Sequence, residues 1–333
     1  MKVAAVIPHW NRRDLLETLL GSLSRQSRPF DEIIVADNGS TDDSAQLAER
    51  AGARVLRLGR NFGFAVAVNR AIESADTEWV AILNNDVTLH PDWLPTLLSA
   101  ADRGNAWFAA GKILRADDTA TLDGAFDEIS RGACACRCGF GKSDSSEWNR
   151  VRDIRIAPMT AALFRRELFS QVGLLDESFE SYLEDVDFGL RCAMAGREGI
   201  YVPSAVAYHR GSNTLGAWNS DTVRFISRNQ VLLAAKHFRG QPRWPILAGQ
   251  LLWGMLAIRH GKGVSYVRGK ISGLRAARRF WRECEQRSER EPGSVSEERF
   301  RIIVDASEKE ILALQQKTGF DRYWRAYFWL LRR

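Results

Sequence analysis

The chain has 333 residues, of which 45% are hydrophobic and 26% charged, with a formal net charge of +6. That composition excludes a disordered or fibrous protein and leaves room for one large α/β domain with an appendage. The charge is uneven: Arg224–Arg333 carries 23 basic and 10 acidic residues, whereas Met1–Val223 carries 24 and 31, and Arg224–Arg282 holds 13 basic residues and no acidic one. Such a block calls for an anionic partner, with nucleic acid and anionic lipid as the two general choices.

In chain order, Val3–Ile7 is a continuous apolar run, the pattern of a buried strand. It ends at Pro8-His9-Trp10-Asn11, far short of a secretory signal core. Arg12–Gln26 follows with leucines at helical spacing, then a strand at Glu32–Ala36 and a turn with helix N-cap at Asp37-Asn38-Gly39-Ser40-Thr41-Asp42. A short helix over Ala45–Ala51, a strand over Arg54–Leu58, a helix over Phe64–Ser74 and a strand over Trp79–Leu83 complete the first third. Apolar strands alternating with helices predict a parallel sheet covered on both faces, with ligands bound beyond the carboxyl ends of its strands. Three of the four strands end in polar clusters: His9-Trp10-Asn11, Asp37-Asn38-Gly39 and Asn84-Asn85-Asp86. Ala106–Tyr208 is mixed, with glycine-rich loops around Gly132–Gly141; from Arg224 the chain reads as helices, with a break at Glu291-Pro292-Gly293-Ser294, an amphipathic helix over Val295–Gln316 and an aromatic, basic tail. The longest uncharged run, Trp244–Ile258, is shorter than the roughly 20 residues a bilayer span needs.

Several clusters carry chemistry. Asn84-Asn85-Asp86 closes a strand, where a carboxylate beside an amide suits a hard divalent cation; a simple turn is the alternative. Glu184-Asp185-Val186-Asp187 opens a helical stretch. Its carboxylates serve either the helix dipole or as a general base for a hydroxyl. His209, beside Arg210 and Gly211 at a segment end, is placed for a metal or a phosphate. Arg60-Asn61-Phe62-Gly63 enters a helix, an arrangement that suits phosphate. No Walker A or G-x-G-x-x-G motif is present, so a P-loop or dinucleotide fold is unsupported. Cys134, Cys136 and Cys138 form a C-x-C-x-C run rather than the C-x-x-C pairs of zinc sites, and read as reduced thiols on a loop.

Together and in order, six segments resemble glycosyltransferase family 2, the closest look being to bacterial rhamnosyltransferase-like members: Val6-Ile7-Pro8-His9-Trp10-Asn11, Val35 to Asp42, Arg60 to Ala65 with Asn69, Leu83 to Val87, Tyr182 to Asp187, and His209-Arg210-Gly211-Ser212. The resemblance covers roughly residues 1 to 235. It implies a GT-A nucleotide-diphospho-sugar transferase fold over residues 1–223, Rossmann-like with a mostly parallel sheet flanked by helices, and a helical C-terminal extension over 224–333. It implies that Pro8, His9, Asn11, Asp37, Asn38, Arg60, Asn61, Gly63, Asn69, Asn84 and Asn85 line the nucleotide-sugar site, with Asp37 on the base. It further implies that Asp86 and His209 hold Mn²⁺ or Mg²⁺ on the diphosphate, that Asp185 is the catalytic base, and that Glu184 supports the acceptor. Asn84 departs from the D-x-D pattern by replacing its first Asp, which removes a charge from the metal site.

The implied partners are a nucleotide-diphosphate sugar donor, rhamnose from a dTDP donor first, and a cell-surface polysaccharide or lipid-linked glycan acceptor. Nucleic acid is not expected. The alternative, a non-enzymatic nucleic-acid or membrane-surface binder using the basic C-terminal region, leaves Asp86, Asp185 and His209 without a role. Trp244, Trp253, Trp281, Trp324 and Trp329 among Arg and Lys suit a peripheral contact with the inner face of the cell membrane, or else the packing of a helical subdomain or homo-oligomer. The expected location is cytoplasmic.

Overall fold

The computed structural model describes residues 1–211, 218–288 and 295–332, and their side chains except at 279–288, 295 and 296. Ser212 of the His209 motif, the break at Glu291-Pro292-Gly293-Ser294, the Trp281 side chain and Arg333 lie outside the described residues. The elements run β1 (Val3–His9), α1 (Arg13–Leu23), β2 (Glu32–Asp37), α2 (Ser44–Arg50), β3 (Arg54–Arg57), α3 (Phe64–Ser74), β4 (Trp79–Leu83), β5 (Val87–Leu89), α4 (Trp93–Arg103), β6 (Phe108–Arg115), β7 (Leu122–Gly124), β8 (Asp127–Ile129), β9 (Ala135–Arg137), β10 (Arg152–Ile154), β11 (Ala161–Arg165), α5 (Arg166–Val172), α6 (Glu184–Met194), β12 (Gly199–His209), α7 (Ser220–His237), α8 (Arg243–Arg259), α9 (Gly263–Ser288), α10 (Val295–Thr318) and α11 (Arg322–Leu330). They form two compact units, Met1–Asp127 with Arg137–Gly211, and Glu128–Cys136 with Ser212–Arg333.

In the first unit the sheet runs in the order β10-β12-β6-β11-β4-β1-β2-β3, with β5 on β12 and β7 on β6. The N-terminal half is parallel, as the alternation of strands and helices predicts. β11 then enters antiparallel between β4 and β6, and β12 pairs parallel with β6. Thus β3, β2, β1, β4, β6 and β12 point one way, and only β11 and β10 on this path oppose them. β1 is apolar from Val3 to Ile7 because β2 and β4 flank it and both its faces are covered. Leu16, Leu19 and Leu23 of α1 and Trp93, Leu94 and Leu97 of α4 join Ile7, Leu83 and Leu163 of the sheet in one core cluster.

One local expectation shifts. The first helix starts only after Asn11 and Arg12, whose φ of 53° and 62° are left-handed, and it stops at Leu23 rather than Gln26, where the Ser24 hydroxyl donates to Gly21 O at 3.0 Å. β12 runs through Pro203 as one strand. A bulge between Val202 and Val206 absorbs the proline, which cannot donate to the ladder.

The second unit is helical. α7 and α9 approach so closely that a Cβ at Gly269 would sit 2.4 Å from Arg224 O, and one at Gly273 would sit 2.6 Å from Arg228 O. The cysteine run is only partly a loop: Cys136 lies on β9, which pairs with β8 in a two-stranded hairpin, Cys134 and Cys138 flank that strand, and the three thiols are buried and unbridged. The tryptophans expected at a membrane divide. Trp324 is buried against Tyr327 and Phe328, and Trp253 stacks on Trp218 with ring centroids 5.4 Å apart, so both serve packing. Trp244 and Trp329 are exposed. Among the described residues, no helix is long and apolar enough to cross a membrane.

Candidate active site

The first unit brings most of the expected residues to the carboxyl ends of its strands. β1 ends at His9, paired in register with Asp37 at the end of β2. Pro8 pairs with Ala36 in the same ladder and is half-buried. The Asp37 carboxylate accepts from Ser40 N at 3.0 Å. The Asn11 amide oxygen accepts from Thr41 N at 2.9 Å, while Asn11 N donates to the Ser40 hydroxyl at 2.8 Å. The turns after β1 and β2 therefore brace each other.

Asn38 reaches the loop after β3. Its side-chain NH₂ donates to Asn61 Oδ1 and to Gly63 O, both at 3.0 Å, and its oxygen accepts from Phe62 N at 2.9 Å. Asn61 Oδ1 also accepts from Gly63 N at 2.9 Å. The Arg60 guanidinium lies 4.4 Å from the Phe62 ring centre and is exposed. Asn38 and Asn61 therefore shape the loop that presents Arg60. Asn69 stands apart from this group. Its NH₂ donates to Leu175 O at 2.9 Å and Glu177 Oε1 at 3.2 Å, and its oxygen accepts from Leu175 N at 3.0 Å. With donors and acceptor engaged, it ties α3 to the segment before α6 rather than offering an amide to a ligand.

The end of β4 carries Asn84, Asn85 and Asp86. Asn85 Nδ2 and His9 Nδ1 are 2.9 Å apart. Burial lowers the His9 pKa to about 4 against the pull of Asp42, Asp37 and Asp14, so the ring is neutral at pH 7. An amide NH₂ can only donate, so Nδ1 accepts and the ring proton sits on Nε2, a buried atom with no hydrogen-bond partner. Asn84 Oδ1 is likewise buried and unpartnered, as is Glu184 Oε2. Buried polar atoms are normally satisfied, so these three stand out on the candidate site residues.

Asp86 and His209 meet because β5 pairs antiparallel with β12, Val87 opposite His209. His209 Nε2 lies 3.1 Å from Asp86 Oδ1, and His209 Nδ1 lies 2.8 Å from Asp123 Oδ2. Burial works against the imidazolium, but bonds to Asp123 and Asp86 outweigh it and raise the pKa to about 9. Asp123 is held below the usual carboxylate range: burial opposes this, and the His209 bond and charge more than compensate. Among the described residues, no group of three or more His, Cys, Asp and Glu side chains is arranged to hold a metal.

The acidic pair at the start of α6 divides by environment. Burial, with the Asp185 charge next to it, pushes the Glu184 carboxyl well above its ordinary value. Burial also raises Asp185, but Arg137, 3.9 Å away, and the Val186 N–H, 2.8 Å away, pull it back. Asp187 is fully buried and bonds Arg191 Nε at 3.0 Å. That guanidinium donates in turn to the carbonyls of Val172, Gly173 and Leu174, so Asp187 is structural.

Sequence reasoning missed three members. Arg137, inside the cysteine run, stands 3.3 Å from Asp127 and 3.9 Å from Asp185. Burial opposes its charge, yet Asp127, Asp123 and Asp185 hold it charged. Asp127 is raised to about 6 by burial, with Arg137 opposing. Asp123 is 86 positions from His209. No local motif announces such pairs; the one hint in the sequence was a lone arginine between cysteines.

The model of the family described as "Glycosyl transferase family 2" matches residues 4–173. N-acetylglucosaminyl-diphospho-decaprenol L-rhamnosyltransferase of Mycobacterium tuberculosis is 31% identical over 272 residues, covering 73% of this chain and 89% of that protein. Among solved structures, the mannosyltransferase PcManGT of Pyrobaculum calidifontis with GDP-Man and Mn²⁺ aligns with TM-score 0.53 at 17% identity, over 98% of this chain and 85% of that one. GalNAc-T7 with UDP, GalNAc and Mn²⁺ aligns with TM-score 0.60 at 14% identity over 76% of this chain, which spans about half (51%) of that structure. The likeness to these structures is one of fold. The polar strand ends, the acidic opening of α6 and the matched sequence agree, and the chain belongs to glycosyltransferase family 2.

Proposed function

We infer that this glycosyltransferase moves a sugar from a nucleoside diphosphate to a lipid-linked glycan with inversion, in the first unit and at the inner face of the cell membrane. Rhamnose from a dTDP donor is the first candidate. The activity named for the mycobacterial relative supports both sugar and acceptor class. The observation that carries the reading is the pairing of Asp86 with His209 beside unpartnered Asn84 Oδ1, together with a separate carboxylate, Asp185, held next to a fixed cation.

The donor set fits a divalent cation. Asp86 would hold it through oxygen and His209 through Nε2, while Asp123 fixes the imidazole by accepting a hydrogen bond from Nδ1–H, the usual support for a metal-bound histidine. When bound, Mn²⁺ or Mg²⁺ supplies positive charge to the leaving diphosphate. Arg60 and the loop clamped by Asn38 face the nucleotide, and the neutral His9 offers its Nε2–H. Asp185 takes the proton of the acceptor hydroxyl, which attacks the anomeric carbon from the face opposite the diphosphate. A single displacement inverts that centre and needs no enzyme nucleophile. Glu184, whose carboxyl burial pushes above its ordinary value, supports the acceptor from the position next to Asp185.

Calorimetry with dTDP, UDP and GDP, with and without Mn²⁺, tests this on the wild type and Asp86→Ala. The expected outcome is metal-dependent binding of one nucleotide, weakened at least about tenfold in the variant. Equal binding with and without metal, or none of any nucleotide, overturns the assignment of Asp86.

A further inference from the structure

α8 and α9 form an antiparallel hairpin. Three residues connect them, Tyr266 Oη donates to Gln250 O at 2.9 Å, Lys270 bonds Gln250 Oε1, and a Cβ at Gly254 would lie 2.8 Å from the Tyr266 ring. Each helix also carries a row of large apolar side chains that nothing among the described residues of the second unit covers. On α8 these are Trp244, Leu247, Leu251, Met255 and Ile258; on α9 they are Val264, Val267, Ile271 and Leu274. Exposure reaches 61% at Leu251, 65% at Ile258 and 68% at Val264. At about 100° per residue, each row lies roughly a quarter turn from the positions facing the other helix. Because the helices are antiparallel, these offsets carry both rows to one side of the hairpin. The result is a continuous apolar face, larger in kind than the scattered apolar residues of ordinary surfaces.

We propose that this α8–α9 face is a docking surface for an anionic lipid bilayer. It deepens the peripheral location inferred above and rests on that reading. Charge selects the occupant. Arg243, Arg259, Arg268, Arg275 and Arg278 are exposed on the same two helices, and no acidic residue occurs between Arg224 and Arg282. Apolar residues set among cations suit a helix pair lying in the headgroup region, with Arg on anionic lipid and aliphatic groups at the acyl boundary. A second copy of the chain fits less well, since matching these faces would bring like charges together with no carboxylate between them. The helices lie on the bilayer, since no described helix is long and apolar enough to cross it.

The test is co-sedimentation of the full chain with phosphatidylcholine vesicles, with and without phosphatidylglycerol, for wild type, Leu251→Glu/Val267→Glu and Arg268→Glu/Arg275→Glu. All substituted side chains are exposed, and retained nucleotide binding confirms folding. The wild type is expected to bind the anionic vesicles and to release with salt, and each double variant to lose about tenfold or more in partitioning. Wild type that ignores both vesicles sinks the peripheral location and this surface together. Wild type that binds while the Leu251→Glu/Val267→Glu variant binds equally sinks the surface alone. A wild-type dimer that this variant converts to a monomer assigns the face to a second copy and overturns the proposal.

Discussion

At the scale of residues, the acidic pair opening α6 is tuned by a side chain outside its own helix. Arg137 is the group that pulls Asp185 back toward ionisation against burial. Replacing it with Met removes that pull, so the Asp185 pKa rises further. A general base must be ionised, so the acid limb of the pH profile of kcat/KM should move to higher pH. Activity on that limb should fall about tenfold for every pH unit the limb moves. The loss should be greater at pH 6 than at pH 8, and Arg137→Lys should restore much of it. An unmoved profile with uniformly low activity would mean that Arg137 is structural. Asp185 itself was legible because a carboxylate pair opening a helical stretch is a local pattern. Arg137 and Asp127 were not, because their roles exist only once β8 and β9 fold back on each other.

At the scale of elements, the site depends on turns that hold each other. Gly39 has a φ of 81°, and a Cβ there would lie 2.5 Å from Arg60 Cα, so the turn after β2 and the loop after β3 touch through backbone. Gly39→Ala should cost about 1–3 kcal/mol, from the unfavourable backbone conformation plus displacement of the Arg60 loop. It should also weaken nucleotide binding. Gly52→Ala has a similar φ, 83°, but nothing within 4 Å of the new atom. It should cost only the conformational part, about 1–2 kcal/mol, and leave nucleotide affinity alone. Urea unfolding and calorimetry on both variants separate the two effects; equal nucleotide affinity in both would show that the contact with Arg60 does not matter.

At the scale of the whole molecule, the second unit takes in the hairpin tip, Glu128–Cys136. Glu308 is the anchor. It is fully buried, and it accepts from Arg131 N at 2.9 Å, from an Arg131 guanidinium nitrogen at 2.8 Å and from the Tyr327 hydroxyl at 2.8 Å. Glu308→Ala removes a buried acceptor shared by Arg131 and Tyr327, leaving Arg131 the longer 3.7 Å pairing with Asp305, and should destabilise by about 3–5 kcal/mol, read as a lower Tm. Ile302→Ala, at an exposed position on the same helix, is the comparison and should barely change Tm. Similar Tm values for the two variants would mean that the hairpin tip does not depend on Glu308.

Periodicity and turn chemistry are local, so β1 to β4, the helices between them and the polar ends of those strands followed from residues alone. The ordered motifs were enough to point to the family. Long-range pairing is not local. The antiparallel entry of β11, the single bulged β12 and the meeting of Asp86 with His209 across 123 positions depend on which strands find each other. The same limit explains the C-terminal aromatics. The sequence alone marked the region as basic and apolar in patches, but only tertiary packing decides which apolar side chains are covered. It buried Trp324, stacked Trp253 on Trp218, and left the aliphatic rows of α8 and α9 facing outward, because burial belongs to the neighbours a side chain acquires and not to the side chain itself.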